Sequence, residues 1–158
     1  MKKYELLMDK SIEVFGRTLF RIRALVSFSD VEKGEIGGYV EKEDNLDQSG
    51  DAWVYGDAWV YGDARVYGNA RVYGNARVSA CRHIFSAGPI GSRNDTVTFF
   101  RAKELQIAVK IGCFTGTIAE FRAKVTRTHG DSMYGKTYQL LADVAEQWID
   151  LTKEDNAE

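Results

Sequence analysis

Between Gly50 and Ser79 the apolar positions recur with a period of six and no interruption. The stretch reads Gly-Asp-Ala-Trp-Val-Tyr twice, then Gly-Asp-Ala-Arg-Val-Tyr, Gly-Asn-Ala-Arg-Val-Tyr and Gly-Asn-Ala-Arg-Val-Ser. Ala52, Ala58, Ala64, Ala70 and Ala76 form one row, and Val54, Val60, Val66, Val72 and Val78 form a second, two positions later. A spacing of two puts both rows on the same side of short strands, with the intervening residue pointing out. Each Gly, followed by Asp or Asn, supplies the bend before the next strand. Three such sides make an 18-residue turn of a parallel β-helix, the architecture that a short fixed period predicts.

The substitutions along the repeat agree with that turn. Eighteen residues above Asp51 stands Asn69, and above Asp57 stands Asn75, so the carboxylate becomes an amide where like charges would first face each other. In the outward series Trp53, Trp59, Arg65, Arg71, Arg77, the same step places Arg71 over Trp53 and Arg77 over Trp59. A guanidinium on an indole is a favourable stack. Tyr55 falls under Tyr73.

The pattern decays on both sides. Residues 1–35 alternate apolar and polar positions around a turn at Gly16-Arg17 and predict an N-terminal β cap for an otherwise open end. The repeat region is taken as 36–85, with Val40 and Leu46 placed on the alanine register and a run-out through Ile84, between two and three coils in all. Residues 86–152 predict a ββαα module: a glycine-rich loop, strands near 96–101 and 106–111, a helix after the capping box Thr117-x-x-Glu120, and a last helix from about Tyr134 to Leu151. In that last helix Tyr138, Leu141, Ala145 and Trp148 are read as inward. Residues 153–158 are read as a disordered tail.

Composition narrows the function classes. The 158 residues are 44% hydrophobic and 28% charged, with a formal net charge of −2, which argues for a globular fold and against a general attraction to nucleic acid or an anionic membrane. No stretch approaches the length of a membrane span, the start lacks a signal-like apolar run, and two cysteines make no disulfide scaffold. The expectation is a reduced, cytoplasmic protein.

The stretch from Arg21 through Gly-Glu-Ile-Gly-Gly-Tyr-Val-Glu-Lys-Glu-Asp-Asn-Leu46, followed by the Gly-Asp-Ala-Trp-Val-Tyr units, resembles a family of phage and prophage hexapeptide-repeat proteins. The second half, Gly88-Pro-Ile-Gly-Ser-Arg93 through Gly112-Cys-Phe-Thr-Gly-Thr-Ile118 to Thr128-His-Gly130, resembles a module that recurs in phage and Gram-positive bacterial proteins. The resemblance implies the handedness. The expected fold is therefore mainly β: a short left-handed parallel β-helix with an N-terminal β cap and a C-terminal α+β module. It also implies the cytoplasm of a bacterial host.

Candidate chemistry is sparse. A hexapeptide acyltransferase would need a histidine base, and only His83 and His129 are present; His83 falls on the outward register over Arg65. Cys81, His83, Cys113 and His129 lack the close pairing of a zinc site. No catalytic residue, metal or cofactor is assigned. The loop around Ser92, Arg93, Asn94 and Thr96 has the backbone and side chains to hold an anion, with Phe99 and Phe114 as a stacking platform and His129 completing the set. The outward aromatics Trp53, Tyr55, Trp59, Tyr61, Tyr67 and Tyr73 are read as a self-association or partner surface. The functional expectation is a non-enzymatic homo-oligomer, trimer or dimer, that antagonises host defence by occluding a host protein or sequestering a small nucleotide-like ligand. A hexapeptide-type acyltransferase and a structural phage component are the alternatives.

Overall fold

The computed structural model describes residues 1–152; the expected tail at 153–158 lies outside them. The strands are β1 (Tyr4–Val14), β2 (Arg17–Ala24), β3 (Ile36–Val40), β4 (Trp53–Val54), β5 (Trp59–Val60), β6 (Arg71–Val72), β7 (Arg77–Val78), β8 (Ile84–Ile90), β9 (Asp95–Ala102), β10 (Gln106–Ile111) and β11 (Phe114–Thr117). Helices α1 (Ile118–His129) and α2 (Met133–Trp148) follow. They form a mixed five-stranded sheet in the order β1-β2-β3-β5-β7, a two-stranded sheet β4-β6 and a four-stranded sheet β11-β10-β9-β8.

Both apolar rows of the repeat face inward. Ala52, Ala58, Ala64, Ala70 and Ala76 are at most 2% exposed, and the five valines are 0% exposed. The pairing is parallel with an 18-residue offset: Trp53 opposite Arg71, Val54 opposite Val72, Trp59 opposite Arg77 and Val60 opposite Val78. The Asp51 amide reaches the Gly68 carbonyl at 3.0 Å, setting Asn69 beside Asp51.

The first rung departs from this period. Val40 lies opposite Val60 and Leu46 opposite Val66, an offset of twenty, so both belong to the valine row and not to the alanine row. The Asp47 amide bonds Val66 and the Asp51 amide bonds Gly68, so four steps on one rung match two on the next. The two surplus residues carry Gln48 outward. Its Oε1 accepts from the Lys3 and Tyr4 amides at 2.7 and 3.3 Å, and its Nε2 donates to the Tyr4 carbonyl at 3.3 Å. Lys3 Nζ donates to the Ala52 carbonyl at 2.8 Å. The irregularity tethers the N-terminus to the solenoid.

The N-terminal hairpin is more than a cap. β2 pairs antiparallel with β3 and extends the sheet, while Gly37 and Gly38 let β3 approach the next rung. A Cβ on either would fall within 2.7 Å of the Val54 or Ala58 carbonyl oxygen. Side chains of the hairpin and the following loop cover one flank. Trp53 is fully buried, with Tyr4 and Phe28 edge-on at 6.2 and 5.3 Å, and Tyr61 is buried against Val14 and Leu19.

At the other end, β9 closes the solenoid with its two faces. Phe100 joins the solenoid core, whereas Val97 and Phe99 join a second core beneath the helices. Ala102 bridges Ala76, and the Arg71 amide donates to Thr98 Oγ1 at 3.0 Å. The C-terminal module has four strands before its helices where the sequence predicts two, because the 84–90 stretch forms β8 and 114–117 forms β11. The capping box is formed as expected: the Glu120 amide donates to Thr117 Oγ1 at 3.1 Å and the Thr117 amide to Glu120 Oε1 at 2.8 Å. In α2, Tyr138 and Ala145 are buried, and Leu141 is partly so, but Trp148 is exposed with Arg82 over its ring at 5.4 Å.

Candidate functional site

The turn Gly91–Asn94, the turn at Gly112-Cys113 and the C-terminal half of α1 surround a cleft of about 290 Å³. Ser92, Arg93 and Asp95 come from the first turn and the start of β9; Phe114 opens β11; Lys124 and His129 project from α1, and Tyr138 from α2. Phe114, Phe121 and Tyr138 make the aromatic floor, with Phe121 6.0 Å from Phe114 and 5.9 Å from Tyr138. His129 lies 5.5 Å from the Tyr138 ring and 5.9 Å from that of Tyr134.

Both turns are fastened from below. The Tyr138 hydroxyl oxygen accepts the Ser92 backbone N–H, and burial pushes this phenol above its ordinary range. Gly91, at φ +82°, passes so close that an added Cβ would overlap that hydroxyl. Lys110 Nζ donates to the Gly112 carbonyl and lies over the Tyr73 ring at 4.8 Å. Burial, then the neighbouring Arg71, lowers its pKa. Two cationic side chains, Arg93 and Lys124, stand against one carboxylate, Asp95, so the mouth has a formal surplus of one positive charge.

Four of the seven residues assigned from sequence to ligand binding, Ser92, Arg93, Phe114 and His129, line this cleft together. Asn94 and Thr96 instead line a neighbouring polar depression of about 260 Å³ with Asp51, Asn69 and Arg71, which shares Asp95 and Gly112 with the cleft. Phe99 is fully buried between Phe85 and Phe121 and reaches neither. Lys124 and Tyr138 join the cleft without a signal for it in the sequence. The sequence shows them only as one residue on a helix's outer face and one on an inner face, and their convergence depends on how the helices fold back on the sheet.

The aromatic ladder divides. Trp53 and Tyr61, expected to face outward, are covered by the hairpin and present nothing to a partner. Tyr55 stacks on Tyr73 with ring centres 4.0 Å apart, as the 18-residue register predicts, and Arg77 lies 3.7 Å over Trp59. Tyr67 is 60% exposed. Arg71 does not lie on Trp53, against which Tyr4 and Phe28 pack; it pairs with Asp30 at 3.0 Å and donates to the Tyr55 hydroxyl at 3.2 Å. His83 is buried, not outward: a 3-10 turn at Cys81–His83 breaks the register, and its Nδ1 accepts the Ser79 amide at 3.0 Å. Cys81 and Cys113 are free and exposed. Among the described residues no three His, Cys, Asp or Glu side chains converge on one point, and no helix is long and apolar enough to cross a membrane.

No curated protein matches the chain. A family model described as the YdcK beta solenoid repeat matches residues 58–71, 64–80 and 70–83. The matched stretch lies inside the region where both apolar rows are buried and the rungs pair at i and i+18, so comparison and coordinates agree on a β-solenoid repeat there.

Proposed function

We propose that the protein is a binding protein whose C-terminal cleft takes a small anionic ligand with a flat apolar body, of the size and chemistry of a mononucleotide. One observation carries the reading: Arg93 and Lys124 stand at the mouth of a cleft floored by Phe114, Phe121 and Tyr138. The aromatic floor suits stacking on a ring, and the paired cations suit an acidic group beside it. Size sets the limit. A volume of about 290 Å³ lies at the lower end of ligand pockets, with room for one ring system and its acidic substituent and none for a dinucleotide. The solenoid serves as the rigid body on which β9 is laid, and its rungs close into a left-handed coil. The phage resemblance gives the binding a setting, sequestration of a small host signal in antagonism of host defence.

The test is thermal stability of the purified chain against a panel of nucleoside monophosphates and small aromatic acids. A member of the panel raises the melting temperature, and Arg93→Ala or Lys124→Ala removes the shift while leaving the unliganded melting temperature within a degree or two, since both are surface cations. If no panel member moves the wild-type transition at millimolar concentration, the cleft does not have this function.

A further inference from the structure

Helix α2 carries apolar side chains on two opposite sides. Gly135, Tyr138, Ala142 and Ala145 are buried against the sheet and α1. On the far side Met133, Leu140, Val144 and Trp148 are 69%, 63%, 46% and 42% exposed. Of the eleven large apolar side chains exposed among the described residues, α2 holds five, Tyr134 included, and the other six are scattered over the rest of the chain. With Thr137, the stripe runs 133, 137, 140, 144, spaced four, three and four as in a helix–helix seam, and Trp148, which Arg82 overlies, follows one turn later. A helix apolar on both sides is built to be covered on both. Beside the stripe lies an open groove between α1 and α2, where Ala123, Thr126, Gly130 and Gly135 leave room for close approach.

We propose that this face is the seam of an antiparallel dimer, in which α2 packs against α2 of a second copy of the chain. The charges select both occupant and direction. Lys136 and Asp143 stand on the same edge of the stripe, seven residues apart, and the edges of such a seam pair across it. The antiparallel register that sets Met133 on Val144 of the partner subunit, and Thr137 on Leu140 of the partner subunit, also sets Lys136 opposite Asp143 of the partner subunit. Two-fold symmetry makes this ion pair twice. A parallel pair would put Lys136 beside Leu141 of the partner subunit and gain neither. Asp143 already accepts from Arg122 at 2.8 Å, yet its side chain is 63% exposed and has lone pairs to spare. A 16-residue helix is roughly 24 Å long. A seam of that length falls at or below the small end of specific interfaces, so the dimer dissociates in the micromolar range.

The 158-residue chain is studied by sedimentation equilibrium from about 1 to 100 µM. A monomer–dimer equilibrium is expected, and Leu140→Glu weakens it at least tenfold. Lys136→Asp and Asp143→Lys each weaken self-association similarly by opposing like charges, but an equimolar mixture of the two restores a dimer, because each supplies the charge the other lacks. A wild-type chain that stays monomeric to the highest concentration, as it would if this face served a different protein, overturns the proposal. So does a dimer indifferent to Leu140→Glu, or charge variants whose mixture gains nothing.

Discussion

Asn45 shows how much a single side chain carries in a solenoid this short. It is fully buried. Its Oδ1 accepts from the Glu41 and Lys42 amides at 3.1 and 3.0 Å, and its Nδ2 donates to the Gly62 and Ala64 carbonyls at 3.2 and 2.9 Å. Four backbone groups at the bend between two rungs are thereby satisfied without water. Asn45→Leu keeps the volume and strands the Lys42 amide and both carbonyls, while the Glu41 amide retains its 3.2 Å bond to the Val60 carbonyl, so chemical denaturation should show a loss of about 3 kcal/mol or more; a loss under about 1 kcal/mol would mean that water replaces the amide. Trp53 presents the opposite case, since its buried indole N–H has no partner among the described residues. The hexapeptide register located this residue on the outer side of its rung, and it is there. What the register could not contain is that Tyr4 and Phe28, some fifty and twenty-five residues earlier, lie over it. The same gap explains Tyr61. Period tells which way a side chain leaves its own strand; coverage by a remote segment leaves no trace in the period.

Among the elements, the ones visible in the sequence are those whose pattern repeats. The inner rows of alanine and valine, the capping box of α1 and the buried face of α2 at Tyr138 and Ala145, though not Trp148, follow from local spacing. β8 and β11 are not legible in local sequence because each is an outer strand of the four-stranded sheet. An edge strand tolerates Gly88-Pro89 in β8 and Gly116 in β11, which on local grounds read as loop. The two-residue insertion at Gln48-Ser49 leaves no mark in the pattern because it shifts Val40 and Leu46 by the distance between the two apolar rows, so the wrong row still looks apolar. β9 is the element on which the architecture turns, because alternate residues serve separate cores. Phe100→Ala removes the ring that plugs the last rung, and should cost about 3–5 kcal/mol in denaturation while leaving the α1–α2 core intact. A loss of less than about 1 kcal/mol would show that the rung is closed by something else.

For the whole molecule, buried phenols give a defined response to pH. Burial raises the pKa of Tyr4, Tyr55, Tyr73 and Tyr138 above the ordinary value of 10.0. A raised folded value means that the native state keeps its proton longer than the unfolded chain. The associated stability is therefore fully present below pH 10 and is lost as pH climbs toward the folded values. Lys3 and Lys110, lowered chiefly by burial, act in the other direction: between their folded values and 10.5 the unfolded chain binds the extra proton, and stability rises with pH. Melting temperature should hold or rise slightly up to about pH 10 and then fall, and Tyr55→Phe should make that fall shallower; an unchanged fall would mean that the Tyr55 phenol does not contribute to the loss.

The solenoid, β9 and the two fastened turns together hold one cleft in a fixed shape, and the proposed role of that cleft is to bind a small anion. A two-dimensional NMR titration of the labelled chain with a nucleoside monophosphate examines it residue by residue. The predicted result is saturable movement of the amide signals of Ser92, Arg93, Cys113, Phe114 and His129, with those of the Ala and Val rows unmoved. Signals that stay fixed to saturating ligand, or that move on the solenoid and leave the 91–94 turn untouched, would contradict it.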